Sequence, residues 1–337
     1  MEGAKTGHTV KFQGLKGAAH LNGTEGTLIK YIKKEGRWSV RCDANNSIVN
    51  AKPENLILHR DYATHGDDLV ISDDDLFNKP PPPREECPIC FIPLDLDPDS
   101  CIYKGCCGKK LCIGCAYGIV EAGIKRELPC AFCRTPEMNM TEKERLKRIK
   151  KRMKANDAQA FFEMGYYYRE GKHGVRQNYV KSVEHLEKAA KLGLATANYN
   201  LGCSYHHGDG VQRDMKKAKH YWSLAAVQGD LSARHSLAGY EFNIEKDIPR
   251  AMKHYRLAAE HGNPDSMRTI HAGILRGYVT KNEYQEILRS HNEALELVKS
   301  DERDKAREIA GISSESSEPP LPDPDLLSML SKLGLGG

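Results

Sequence analysis

The stretch that decides the fold is "KAKHYWSLAAVQG", residues 217–229, because its pattern occurs three times. Its counterparts are "KSVEHLEKAAKLG" (181–193) and "RAMKHYRLAAEHG" (250–262), and the closing glycines Gly193, Gly229 and Gly262 fall 36 and 33 residues apart. Apolar residues recur at helical spacing in each copy. Paired alanines (Ala189-Ala190, Ala225-Ala226, Ala258-Ala259) precede the glycine and let a neighbouring helix approach closely, and the glycine supplies the left-handed residue that ends a helix. Before each copy runs a second related stretch: "QAFFEMGYYYREGKHGV" (159–175), "TANYNLGCSYHHGDGV" (196–211) and "SARHSLAGYEF" (232–242). A unit of two helices repeated at this period predicts an α-helical solenoid over 156–310, each unit burying its apolar face on the next. The third unit lacks the Gly-x-Gly-Val loop, so a shortened turn is expected. A fourth, degenerate unit follows, in which Gly277 ends the first helix and Thr280 with Glu283 caps a long second one expected to cover the array.

This pattern resembles the Sel-like repeat (SLR), a relative of the tetratricopeptide repeat, most strongly over 157–263. The resemblance implies a curved solenoid whose inner face binds protein segments. Tyr166, Tyr167, Tyr168, His206, His207 and His220 invite a ligand-site reading, but their helical spacing predicts packing.

At 337 residues the chain exceeds the size of one core, so two or three domains are expected. It has no apolar stretch long enough for a signal peptide or a membrane span, which predicts a soluble cytoplasmic or nuclear protein with no membrane partner. A net charge of +4 is too small to argue for nucleic acid. Nine of the eleven cysteines lie between Cys87 and Cys133, and in a reducing compartment such density indicates a metal site rather than disulfides. Cys42 and Cys203 stand alone and are expected to be small core residues. There is no phosphate-cradling glycine loop, zinc-protease helix motif or nucleophile elbow.

The cysteines run Cys-x2-Cys from Cys87, fifteen residues, the doublet Cys106-Cys107, four residues, Cys-x2-Cys from Cys112, fourteen residues, Cys-x2-Cys from Cys130. Eight thiolates suffice for two tetrahedral zinc sites. The strings "CPIC", "CCGKKLCIGC" and "CAFCRTP" resemble the RING finger family in its all-cysteine variant, over 87–136. That resemblance implies two zinc ions with alternating ligand pairs: Cys87, Cys90, Cys112 and Cys115 for one, and Cys106, Cys107, Cys130 and Cys133 for the other. Lys109 stands where the family has histidine, so Cys106 takes that place, with Cys101 as the competing thiolate. It further implies a ubiquitin ligase that docks a conjugating enzyme through Ile89, Ile119 and Ala131-Phe132, with Arg134 holding ubiquitin, while the solenoid takes protein substrates. Ile119 and Ala131 replace a frequent tryptophan and proline. The alternative is a non-enzymatic zinc-binding scaffold or adaptor.

Toward the N-terminus, "HTVKF", "GTLIKYI" and "RWSVRC" read as short strands separated by Asn-Gly and Glu-Gly turns. With "AKPENL" they resemble the SH3-like module found beside zinc fingers in some algal and protist proteins, implying a small β-barrel over 7–58 with Trp38 in its core. Residues 61–86, with eight acidic and two basic residues and "KPPPPR", read as a flexible acidic, proline-rich linker. Residues 141–154, with eight basic and two acidic residues, predict a basic connecting helix with an apolar stripe of Leu146, Ile149 and Met153, to which the acidic linker offers an internal partner. The serine- and proline-rich tail, 311–337, reads as disordered, and Leu327, Leu330, Leu333 and Leu335 resemble a nuclear export signal. The fold class expected is therefore multidomain: a small N-terminal β-barrel, a zinc-bound RING finger and a C-terminal α-helical solenoid of SLR repeats.

Overall fold

Period-2 alternation at the N-terminus produces strands, and the helical repeat downstream produces paired helices. The computed structural model describes residues 9–12, 15, 18–21, 24–42, 47–58, 71–95, 100–122, 129–136 and 140–311, and the chain divides into units 1–69 and 70–337. The expected disordered tail and its leucine pattern lie outside the described residues.

In the first unit, β1 (Thr9–Phe12), β2 (Glu25–Ile32), β3 (Arg37–Cys42), β4 (Ile48–Ala51) and β5 (Leu56–Leu58) form an antiparallel sheet in the order β4-β3-β2-β1-β5. Trp38, Val40 and Cys42 are buried with Phe12, Leu21, Ala51 and Leu56, and Tyr31 tilts against the Trp38 ring at 5.3 Å. Trp38 and Cys42 are thus core residues. Among the described residues no pairing joins β4 to β5, so the expected small β-barrel is seen as a five-stranded sheet.

In the second unit, helices α4 (Ala158–Glu170), α5 (Tyr179–Lys191), α6 (Ala195–His207), α7 (Met215–Val227), α8 (Leu231–Tyr240) and α9 (Ile248–Glu260) stack in pairs. Asp157, Asn178, Asp214, Asp230 and Asp247 accept from first-turn backbone N–H groups, which fixes most of the starts. All six paired alanines are buried at the helix crossings. The shortened third unit is closed by a π-helical turn, Glu241–Glu245, with Lys246 at φ +61° where the first two units place Gly171 and Gly208. Buried Glu241 is neutralised there by Lys219 and Arg250, both at 3.1 Å.

Beyond it, α10 (Pro264–Leu275) and α11 (Lys281–Glu296) form the fourth pair. The long helix expected after Thr280 is α11, which opens with the Thr280–Glu283 capping box, and Ser300 caps a further helix, α12 (Asp301–Ala310), that leaves the array.

The cysteine-rich segment supplies a two-stranded hairpin, β6 (Cys101–Lys104) and β7 (Lys109–Cys112), and helix α2 (Ile113–Ala122). It meets both ends of the array. At the first end, Tyr103 donates to Asp157 at 2.8 Å, as does Arg152 of α3 (Glu142–Lys154), while Ile149 of α3 packs with Ala160, Met164 and Tyr167. At the other end α12 lies on α2 so closely that a Cβ on Gly114 would stand 2.8 Å from the Arg303 backbone nitrogen. The array and the cysteine module therefore close a ring around a cavity of about 2500 Å³, lined among others by Tyr103, Lys110, Arg145, Phe162, Tyr199 and Asn200.

The segment expected as a flexible linker is ordered over its described part, 71–86, and includes a short helix, α1 (Asp73–Phe77). The reason is three apolar residues spaced through the acidic run: Ile71, Leu76 and Phe77 pack on α7 and α8. Its carboxylate Asp73 pairs with Arg250, not with basic α3.

Candidate metal centre

Each end of the cysteine module is a knuckle built the same way. In the first, the Phe91 N–H donates to the Cys87 carbonyl at 2.9 Å and the Cys87 N–H to the Ile92 carbonyl at 3.0 Å; in the second, Arg134 donates to Cys130 at 2.9 Å and Cys130 to Thr135 at 2.8 Å. The residue after the second cysteine turns left-handed in both, Phe91 at φ +58° and Arg134 at +60°. Such a turn points two thiols and the intervening N–H groups at one point, as a metal-bound thiolate pair requires.

The ring of contacts then completes two groups of four. Cys87, Cys90, Cys112 and Cys115 have sulfurs within 4.8 Å of one another, as have Cys106, Cys107, Cys130 and Cys133. Across a tetrahedron with metal–sulfur bonds of about 2.3 Å the sulfurs stand roughly 3.8 Å apart. Cys90–Cys112 measures 3.9 Å and Cys107–Cys130 3.8 Å, so both groups fit a zinc-sized ion. The hairpin makes this possible: the turn before β7 presents Cys106 and Cys107, while the end of β7 and the start of α2 present Cys112 and Cys115 to the opposite site. Cys115 N–H also donates to the Cys112 sulfur at 3.4 Å, and the Cys133 sulfur lies 3.1 Å from the Thr135 hydroxyl.

Cys101 stands outside both groups. Its thiol instead donates to the Asp95 carbonyl at 3.7 Å. Cys101→Ser is therefore expected to leave two zinc ions per chain by elemental analysis. Cys106→Ser is expected to lower that to about one, one tetrahedral site having lost a ligand.

The residues singled out for docking are distributed unevenly. Ile119 and Phe132 pack half-buried against Cys87, Leu94, Leu111 and Cys112. Ile89 is 39% exposed on the first knuckle, and Arg134 is exposed on the second. Phe91, 72% exposed, and Val120, 66% exposed, are further exposed apolar residues of this module that the sequence pattern does not single out. Arg303 was missed as well. This buried residue of α12 sends one guanidinium nitrogen to the Pro93 and Val298 carbonyls at 2.7 and 2.8 Å and the other to the Ile92 carbonyl at 3.1 Å and the Cys90 sulfur at 3.6 Å. Arg307 reaches Asp95 and Ser100, and Lys305 pairs with Glu121 at 3.0 Å. Nothing in the local sequence signals these contacts, since the Arg303–Cys90 pair is 213 residues apart.

No helix among the described residues is long and apolar enough to cross a membrane. Among solved structures, a Sel1 repeat protein from Oxalobacter formigenes is 26% identical, the match covering 45% of this chain and 64% of that one at a TM-score of 0.40. A protective antigen of uropathogenic Escherichia coli strains that displays an SLR fold is 23% identical, covering 60% of this chain and 47% of that one at a TM-score of 0.42. An immunity protein from Pseudomonas aeruginosa is 21% identical, covering 56% and 66% at a TM-score of 0.31. The chain thus spans 47% to 66% of the length of these structures. The Sel1 repeat itself matches at residues 158–194, 195–230 and 232–263, so the paired helices α4 to α9 are three Sel1 repeats in tandem.

Proposed function

We propose that the chain is a RING-type ubiquitin ligase in which module 87–136 docks a ubiquitin-loaded conjugating enzyme and the Sel1 array binds the protein to be modified. One observation supports this most: eight cysteines form two interleaved groups, and the matching knuckles carry exposed Ile89 and exposed Arg134. Zinc bound to each group supplies structure, fixing the knuckles at their separation. The chain contributes no nucleophile; Ile89, together with Ile119 and Phe132, offers apolar area to the conjugating enzyme. Arg134 offers charge-assisted hydrogen bonds that hold ubiquitin in a reactive pose, which is acceleration by orientation. The N-terminal sheet, with its one-turn helix Pro53–Asn55 ahead of β5, is read as an SH3-like interaction module.

A second reading is a non-enzymatic adaptor, favoured by the close seat of α12 on α2, which gives the cysteine module a purely structural task. Autoubiquitination with a panel of conjugating enzymes separates the two. Under the ligase reading, Ile89→Ala and Arg134→Ala each reduce transfer at least about tenfold at unchanged zinc content, as losing an anchor of an interface does. Ile89→Ala also weakens binding of the unloaded conjugating enzyme, whereas Arg134→Ala does not. Absence of transfer by the unsubstituted chain with every enzyme of the panel leaves the adaptor.

A further inference from the structure

Residues 71–84 cross the Sel1 array as a strap, and the seat beneath them is chemically specific. Leu76 is buried among Ala218, Trp222, Ala225 and Leu237, and its carbonyl accepts from Arg234 at 2.6 Å. Arg234 is 5% exposed; its other guanidinium nitrogen donates to the Ala226 carbonyl at 3.2 Å. The strap thus supplies the acceptor for one arm of a guanidinium that is buried beneath it. Arg250 takes Asp73 at 2.6 Å. Phe77 lies 4.5 Å from the His254 ring, with Arg250 and Lys253 over its face at 5.1 and 5.7 Å, an arrangement that favours an aromatic ring over an aliphatic side chain. Further on, Pro82 crosses Gly229, where an added Cβ would stand 3.1 Å from the proline ring, and Arg84 donates to the His261 carbonyl.

A five-residue helix does not persist alone in water, so α1 owes its form to this seat. The seat spans α7, α8 and α9, helices of two adjacent repeats, and it recognises a helical turn laid into a groove. We infer that it is a peptide-binding site occupied in cis by the chain's own strap, and that its ligand in trans is an unstructured protein segment of the same chemistry. That chemistry is a run of carboxylates closing on adjacent leucine and phenylalanine, followed by prolines. This inference deepens the substrate-binding role proposed above and rests on it. The tethered strap acts at an effective concentration on the order of millimolar. It therefore sets a threshold: a free segment of equal affinity is held off by roughly that concentration divided by its own dissociation constant.

The test uses the full zinc-loaded chain and a synthetic peptide, ISDDDLFNKPPPPRE, the sequence of residues 71–85. With the peptide at several millimolar, amide hydrogen exchange at Leu76 and Asn78, which donate to Ser72 and Asp74, is expected to accelerate at least about fivefold through competition for the seat. The Phe77→Ala and Asp73→Lys peptides and a scrambled peptide are expected to have no such effect. In addition, a chain carrying Leu76→Asp and Phe77→Asp should bind labelled peptide at least about tenfold more tightly than the unsubstituted chain, its own competitor having been removed. Unchanged exchange with the cognate peptide, or equal acceleration by the scrambled one, overturns the inference, whether or not the double variant folds. Because no step involves ubiquitin, peptide competition without ubiquitin transfer sinks only the ligase reading, and transfer without competition sinks only this one.

Discussion

Stripping the full chain with a strong chelator is expected to release two zinc ions and to unfold residues 87–136, while the helices of the array keep most of their circular-dichroism signal. The cysteine module has a small core, in which Cys87 and Cys112 share the buried interior with Leu94 and Leu111. With half of that core made of thiols, apolar burial alone does not hold it, and a structural zinc contributes about 10–16 kcal/mol of binding free energy per site. The array keeps its alanine crossings and its aspartate caps, of which Asp157 meets the cysteine module through Tyr103. Limited proteolysis should then cut within 87–136 and near α12 but not inside α4 to α9. Release of one metal, or a module that resists protease after chelation, would refute the paired-site reading.

The second large effect is expected from Arg303→Met. The guanidinium serves three carbonyls and one cysteine sulfur in a buried setting, and leaving a buried acceptor unsatisfied costs about 1–3 kcal/mol. The loss falls on the α12–α2 contact and on the Cys90 side of the first metal group. Denaturant unfolding should therefore show an earlier transition, and transfer of one zinc of the two to a chromophoric chelator should quicken. Arg303→Lys should not rescue, since one ammonium cannot reproduce the two-armed reach of the guanidinium. If both substitutions leave zinc transfer unchanged, Arg303 is only a packing residue.

The Sel1 array is legible because its determinants are local and repeated: paired alanines and a closing glycine recur at similar offsets. The eight thiols were legible for the same reason, as pairs with short loops. Contacts made over long sequence distance were not. Leu76 and Phe77 are two apolar residues beside an acidic run, and composition over that window reports polarity; only the seat on α7, α8 and α9 makes the segment ordered. The repeat pattern does not signal α12, which opens at Ser300 and finds its partner in a module about 200 residues earlier. Cys101 and Cys106 both sit near the hairpin, and only the side chain's direction, toward the Asp95 carbonyl for Cys101, separates them. The turn of the third repeat shows how context overrides residue preference: Lys246 accepts a left-handed backbone because a π-helical turn brings the chain there.

A free stack of helix pairs behaves as a spring, since each repeat touches only its neighbours and small rotations add along the array. Here the spring is clamped at both ends, by Tyr103 and Asp157 at the first repeat and by α12 at the last. Clamping removes the softest bending and twisting modes, so the array reaches a partner with its curvature already set. A partner then loses less freedom in ordering the surface it meets, which favours fast exchange of short segments over slow wrapping of large domains. Cutting either clamp should turn the same repeats from a rigid frame into an elastic one, visible as a broader distribution of end-to-end distances between labels on α4 and α11.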